Sequence, residues 1–484
     1  MTEARESIFK YTGHPLVDVG ACVIAADNNR SSLGEITGAD LEKMAQFIRE
    51  HYCVNPMRNF LTTVFPNSAY ANPTTSHEKR ESELADILAP REQNPEDTEG
   101  ICAYCGRAGK RRYRQHIPLI TGEDVFNFTP EGQAGLPVCS YCLLAIQASV
   151  LGTRKCGGRM LLPHSDSEYL TLRLVERFLS HNRNILSMAG PDDKYPNQSG
   201  PRTVLMATLA DLQKDAEVIA RADSTPALTA YHMTNYGTSA DVQILRLPSE
   251  VVNFVRETQR SEYREAWNYM VNRGWFMGLP RKKDGKVDEP ESYEVGKHRN
   301  RLYDDIFDLP DQAAQFVRRH LNWRVRLFRD EEAMQAGVPD AWGITELLLR
   351  RVMLMEKERI ETLRTLGERW AGYVKERNDR RFFQRIYGSW RTDRSAYGAY
   401  RSTLLRASQE EIRQGRPPLI SFEEFLVAFE EGEEFARADW GLARDLILLK
   451  MMDTLHSLGW LTEHADELEV PSEDLPDVVE QEQV

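Results

Sequence analysis

Residues 102–105 and 139–142 read CAYC and CSYC, two pairs of identical spacing with 33 residues between them. Two thiolates on one tight turn can hold a tetrahedral ion from one side, and a second such turn completes the shell. Gly106 lets the first turn close, and Pro137 stiffens the approach to the second. The alternative is four small core hydrophobes, but cysteine is scarce and matched pairs point to metal. Cys102, Cys105, Cys139 and Cys142 are therefore expected to bind a structural Zn2+. Four thiolates leave no open position, so the ion stiffens a loop-rich insertion and does no chemistry. The other cysteines, Cys22, Cys53 and Cys156, make an odd total of seven, which argues against a disulfide framework and for a reducing compartment.

Around the first pair the charge is unusual. Arg107, Lys110, Arg111, Arg112 and Arg114 place five cations in eight residues, in a chain of net charge -13. Global acidity excludes a protein coated in positive charge but not a local basic groove. Cations on a metal-stiffened loop suit phosphate; a solvated face is the other reading. A second basic stretch runs from Arg377 to Arg406. Arg377, Arg380, Arg381, Arg385, Arg391 and Arg394 alternate there with Phe382, Phe383, Tyr387, Trp390, Tyr397 and Tyr400. This is either a groove tracking single strands or a helical core with a basic rim. Asn67 and Asn72, in FPNSAYANP, can meet base edges or simply build turns. Lys282 and Lys283 complete the candidate nucleic-acid contacts.

His116 lies between the cysteine pairs, as a catalytic histidine does in HNH endonucleases, with Asn127 beyond it. Gln115 stands where an acid often precedes that histidine and Leu143 where an asparagine often follows the second pair, so a hydrogen-bonded histidine at the edge of the knot is the favoured reading. No Walker lysine, nucleophile elbow, HExxH helix or carboxylate pair occurs.

The remaining pattern is α+β and mostly helical: an irregular N-terminal domain with a zinc-knot insertion, and a C-terminal helical bundle. The expected divisions are 1–100, the N-terminal part of a mixed domain; 101–160, the insertion; 161–335, the rest of that domain with a polar loop near 281–300; 336–462, the bundle; and 463–484, an acidic tail. Leu41, Met44, Ala45, Phe47 and Ile48 give a helix over 38–52 with Asp40 as N-cap. Helices are expected over 168–190 and 203–221, and a strand pair over 227–237 and 241–248. Leu349, Met353, Ile360, Leu363, Leu366, Trp370 and Val374 form one stripe. Ser421 and Glu424 make a capping box, and Leu442, Leu446, Leu449 and Leu455 mark a last helix. No signal peptide or apolar run long enough to span a bilayer is evident, so a cytoplasmic protein is expected.

YTGHPLVDVG (11–20), FPNSAYANP (65–73), CAYCGR (102–107), LPVCSYC (136–142) and VQILRLPSEVVNF (242–254) occur in this order. On these motifs, which span residues 8–255, the chain resembles the large subunit of type I CRISPR Cascade surveillance complexes of the zinc-containing I-A/I-B kind. The resemblance implies a non-catalytic subunit that reads the protospacer-adjacent motif in double-stranded DNA and helps hold the R-loop. Its implied partners are crRNA, the target duplex and its displaced strand, and the backbone, handle-binding and small subunits. It also implies a docking surface for a helicase-nuclease or a transposition adaptor, and a C-terminal bundle that acts like a small subunit, with Met334, Met353 and Met355 near an internal start. An HNH-like metal-dependent nuclease and a zinc-stabilised scaffold are the competing readings.

Overall fold

PLVDVGACVIAAD is apolar on every side, so it must be buried. It forms helix α1 (Pro15–Asp27), whose residues from Leu16 to Ala25 are all buried. One of them is a carboxylate. Asp18 accepts from the Thr12 amide and hydroxyl at 2.8 and 2.7 Å, from the Gly13 amide at 2.8 Å and from His164 Nε2 at 3.1 Å. These bonds satisfy a charge that would be costly to bury alone and fold the YTGHP segment back over the start of its own helix.

The structure is a computed structural model that describes residues 7–89, 98–123, 125, 132–190, 192–215, 226–236, 240–280, 282, 287–327, 338–389, 397–431 and 435–464. It is α+β and mostly helical, and it divides into two compact units. One comprises residues 1–256 and 273–307, the other 257–272 and 308–484. Among the described residues no helix is long and apolar enough to cross a membrane.

In the first unit, α1 is followed by α2 (Gly38–His51), α3 (Met57–Val64) and α4 (His77–Ile87). A small antiparallel sheet, in the order β1 (Gly100–Ile101), β2 (Ala108–Arg112), β3 (Leu136–Val138), leads into α5 (Ser140–Ala148). A second antiparallel sheet has the order β4 (Arg154–Cys156), β5 (Arg159–Ser165), β6 (Leu228–Thr234), β7 (Asp241–Leu247). Helices α6 (Glu168–Met188) and α7 (Pro201–Leu212) connect β5 to β6. The core forms where α1, α5 and α6 meet around the second sheet. The closest approach is at Gly20, where an added Cβ would lie 1.7 Å from the Ala145 carbonyl oxygen. Only glycine lets α1 and α5 cross so tightly.

The second unit is mainly helical, with a two-stranded sheet pairing Glu430–Glu431 with Phe435–Ala436. Its main pair is α9 (Lys357–Arg377) against α13 (Trp440–Ser457), with α8 (Trp342–Arg351), α10 (Arg380–Ser389), α11 (Tyr397–Arg413) and α12 (Phe422–Phe429) around it. Ion pairs to buried carboxylates tie the unit together: Arg444 and the more exposed Arg318 meet on Asp445, and Arg324 meets Asp453 at 3.0 Å.

Several expectations need correction. Thr37, not Asp40, caps α2; Asp40 is the N3 partner of a capping box, so both residues act but in exchanged roles. The helix expected over 203–221 ends at Leu212 in a turn. The single stripe from Leu349 to Val374 belongs to two helices, broken over 352–356, where Leu354 adopts φ 50°. Met353 lies in that break. The strand pair, the Ser421–Glu424 capping box and the final leucine helix are present. Met334 and the tail from residue 465 lie outside the described residues.

Gly20→Ala should destabilise the protein by about 2–3 kcal/mol through overpacking, read as a shifted urea midpoint. Gly372→Ala, on α9 with no atom within 4 Å of the new Cβ, should instead be neutral or stabilise by up to about 1 kcal/mol. Equal effects would contradict the close approach.

Candidate metal centre

The first cysteine pair sits in the turn from β1 to β2. The Gly106 amide donates to the Cys102 carbonyl at 3.1 Å, and the Cys102 amide donates to the Arg107 carbonyl at 2.6 Å. Gly106 has φ 79°, and nothing lies within 4 Å of its would-be Cβ. Glycine is needed there for the left-handed backbone and not for space. The Ala103 amide donates to the Pro137 carbonyl at 3.0 Å, which ties this turn to β3.

The second pair opens a helix. Cys139 follows β3 directly and is the N-cap of α5, its Sγ accepting from the Cys142 amide at 3.4 Å. Leu143, Leu144, Ala145, Ile146 and Ala148 of α5 are apolar and buried, with Gln147 buried among them, so the helix is anchored by its far end and presents sulfur at its near one. The four Sγ atoms all lie within 4.8 Å of one another, Cys105 and Cys139 at 3.4 Å. A tetrahedral ion with metal–sulfur bonds of about 2.3 Å needs sulfur–sulfur edges of about 3.8 Å, which fits this cluster.

Ionisation of all four thiols would favour a cation here. Hydrogen bonds among the neighbouring thiols hold Cys102 and, on balance, Cys105 below the ordinary thiol range, and push Cys139 and Cys142 above it. The four cannot all ionise without a positive ion between them; a thiolate-binding cation removes the conflict. The helix N-terminus and the Arg107 guanidinium, 4.0 Å from Cys105 Sγ, offset the remaining negative charge. The four cysteines can thus hold one metal ion in a closed shell of sulfur. Cys22 and Cys156 are buried free thiols and Cys53 is half-buried; none joins the cluster.

The cations of the knot divide into two sets. Arg107 donates to the Ser7 carbonyl at 3.2 Å and lies over the Tyr141 ring; Lys110 is half-buried; Arg111 donates to the Ala134 carbonyl at 3.2 Å. Arg112 and Arg114 turn inward. Arg112, 8% exposed, meets Asp86 of α4 at 2.5 Å, and Arg114 donates to the Asn235 side-chain and main-chain oxygens at 3.1 and 2.8 Å. Burial would raise Asp86, but Arg112, helped by His116 and Lys110, holds it below the usual carboxylate range.

His116 closes a ring of buried polar groups. Its Nε2 lies 3.0 Å from Glu83 Oε1, and Glu83 Oε2 accepts from the Tyr70 amide at 3.0 Å. The Tyr70 hydroxyl donates to Gln147 Oε1 at 2.5 Å, and Gln147 Nε2 donates back to the His116 carbonyl at 2.8 Å. The ring fastens the loop after β2 to α4, to α5 and to the FPNSAYANP segment. Glu83, Gln147, Tyr70 and Asn235 were not singled out from sequence; their partners lie tens of residues away, and no local pattern marks them.

The other candidates are dispersed. Asn67 is exposed, whereas Asn72 Oδ1 accepts from the Thr74 amide and hydroxyl, at 3.0 and 2.8 Å, and so serves a turn. Lys282 pairs with Asp288 at 2.7 Å. In the second unit Arg377 pairs with Glu411 at 3.3 Å, Arg380 is half-buried, and Arg381 and Arg385 are exposed. Phe382, Phe383, Tyr387 and Tyr400 are buried. These aromatics build the core, and the basic rim is what remains for a ligand. Lys283, Arg391, Arg394, Trp390 and Asn127 lie outside the described residues.

Residues 95–154, which carry all four cysteines, match the family model described as CRISPR-associated protein (Cas_CXXC_CXXC). No curated protein and no solved structure matches the chain.

A strong chelator should lower the melting temperature of the purified chain and expose its thiols to titration together. Cys139→Ser and Cys142→Ser, which remove ligands at the helix N-terminus, should reproduce the loss without chelator. A melting curve insensitive to chelation would contradict metal binding. Glu83→Gln should cost about 1–3 kcal/mol, because it weakens a charged bond inside a buried ring.

Proposed function

We propose that this chain is the non-catalytic large subunit of a type I, RNA-guided CRISPR surveillance complex. It reads the short motif beside the target in duplex DNA, holds the opened R-loop and recruits a helicase-nuclease or a transposition adaptor. The observation that carries this reading is the coincidence of three features in one segment: the family-model match, the four-cysteine cluster, and Arg107, Lys110 and Arg111 on the hairpin that the cluster closes. The guide supplies sequence by base pairing, so the protein needs only backbone cations and a short reader.

The metal is proposed to be zinc, held by Cys102, Cys105, Cys139 and Cys142 in a structural role. Four sulfur ligands select a borderline-soft ion, and zinc accepts this geometry without strain or redox change. The proposal of no catalysis is supported by His116, whose ring nitrogen is engaged by Glu83. On this reading the partners are crRNA, target DNA with its displaced strand, and the backbone, handle-binding and small subunits. The exposed Arg381 and Arg385, on the outer side of α10, suit a displaced strand.

The test is target binding by the guide-loaded complex assembled with and without this chain. Omission should abolish discrimination between targets that carry and lack the adjacent motif. Charge reversal of Arg107, Lys110 and Arg111 should weaken binding and reduce the salt slope by about 0.9 for each phosphate that is no longer neutralised. An unchanged slope would remove the hairpin from the interface. Magnesium-dependent cutting of DNA by the purified chain, abolished in His116→Gln, would replace this function with a nuclease.

A further inference from the structure

Among the described residues most arginines with a buried, unpaired Nε are neutralised by a carboxylate; Arg80, which donates to the Pro73 carbonyl at 2.7 Å, is one exception. Arg112, Arg173, Arg324 and Arg359 each have an Nε that is buried and unpaired, and each ends on a carboxylate: Asp86, Glu176 with Asp215, Asp453 and Asp439. Arg154, the first residue of β4, has the same closed-off Nε but no carboxylate among the described residues. Its guanidinium lies over the Phe178 ring at 5.0 Å.

One turn further along α6 stands His181, also without a carboxylate. Its Nε2 is 3.3 Å from Gln198 Nε2, so that nitrogen accepts and Nδ1 carries the donor hydrogen. Burial, and then the positive charge of Arg154, push His181 down to about 4. Burial likewise pulls Arg154 down to about 10. Lys155 follows on the opposite side of the strand, where only the neutral acceptors of Asn59, the side-chain oxygen at 3.0 Å and the carbonyl at 3.5 Å, hold its ammonium. It adds positive potential without joining the group. Burying cations without anions is costly, and Arg154 and His181 are only partly shielded, so a solute can reach them.

We propose that Arg154 and His181, at the start of β4 and the facing side of α6, form an oxyanion site that takes a phosphoryl group. The planar fork of the Arg154 guanidinium, a cation without a carboxylate, matches phosphoryl oxygens, and the neutral His181 ring offers its Nδ1 hydrogen as a second donor. The cleft lined by Arg30, Arg173 and Arg183 is no equal candidate, because each of those cations is already paired, with Asp40, with Glu176 and Asp215, and with Asp27. The phosphoryl group can come from a nucleic-acid backbone or from free phosphate; the site chemistry is the same. It does not depend on membership of a guide-loaded complex.

The experiment uses the full chain alone. Inorganic phosphate is titrated at constant ionic strength against chloride, with the melting temperature as readout. Wild type should show a saturable rise. Arg154→Met should weaken the apparent phosphate affinity by about tenfold or more, since it removes a charge-assisted hydrogen bond. Should that variant fold poorly, Arg154→Lys, which keeps the charge and removes the fork, should still weaken it, as should His181→Gln. A short single-stranded oligonucleotide is then added as competitor. Competition names the nucleic-acid backbone as the source; saturation without competition names free phosphate, and both support the site. No saturable response in wild type, or one unchanged in Arg154→Lys and His181→Gln, overturns it. Because no guide RNA or partner is present, failure here leaves the proposed subunit role standing, and failure of that role leaves this site standing.

Discussion

Convergence of the four sulfurs is the constraint on which the N-terminal unit turns. The hairpin that carries Arg107, Lys110 and Arg111 has almost no core of its own. Its first strand is two residues long and both are exposed, Ile101 by 72%. So small a sheet cannot bury enough apolar surface to hold itself. A metal ion held by the four cysteines would substitute for that missing core by joining the hairpin turn to the N-terminus of α5. Helix α5 in turn is fixed against α1 by the contact at Gly20, and α1 packs on β5 of the larger sheet. The position of the cationic hairpin would thereby be referred, through one bound ion and one helix crossing, to the deepest part of the fold.

The buried polar ring of Tyr70, Glu83, His116 and Gln147 does the same work without metal. Each member satisfies its neighbour, so the network adds order where a half-satisfied set would destabilise. It also gives the sequence motifs a physical meaning. FPNSAYANP supplies Tyr70, and CSYC opens the helix that carries Gln147. YTGHP packs the His14 ring against Tyr104 of the first cysteine turn, 4.5 Å between centroids. These segments meet in one set of contacts around the knot.

Much of this was legible in sequence where the signal is local. The two CxxC spacings marked the four-cysteine cluster, the Ser421–Glu424 box a helix start, and the turn between residues 227–237 and 241–248 the β6–β7 pair. Failures came where local rules compete or where the partner is distant. Thr37 and Asp40 both suit a helix start, and only the bonds decide which caps. The stripe from Leu349 to Val374 keeps its period across a break that periodicity cannot detect. Arginine mixed with aromatics in the 377–406 stretch is compatible with a stacking groove, yet Phe382, Phe383, Tyr387 and Tyr400 are buried, Tyr397 is half-buried, and the arginines form a rim. The inward turn of Arg112 and Arg114 depends on Asp86 and Asn235, one 26 residues before and the other 121 residues after its partner.

The proposed role follows from this mechanical picture: a guide-bound complex needs rigid cations beside a duplex, and a metal-clamped hairpin supplies them at small entropic cost. Zinc K-edge X-ray absorption on the purified full-length chain tests the clamp most directly. The account predicts a single shell of four sulfur atoms at about 2.3 Å. A shell containing nitrogen or oxygen, or fewer than four sulfurs, would mean an open or different coordination and would contradict it.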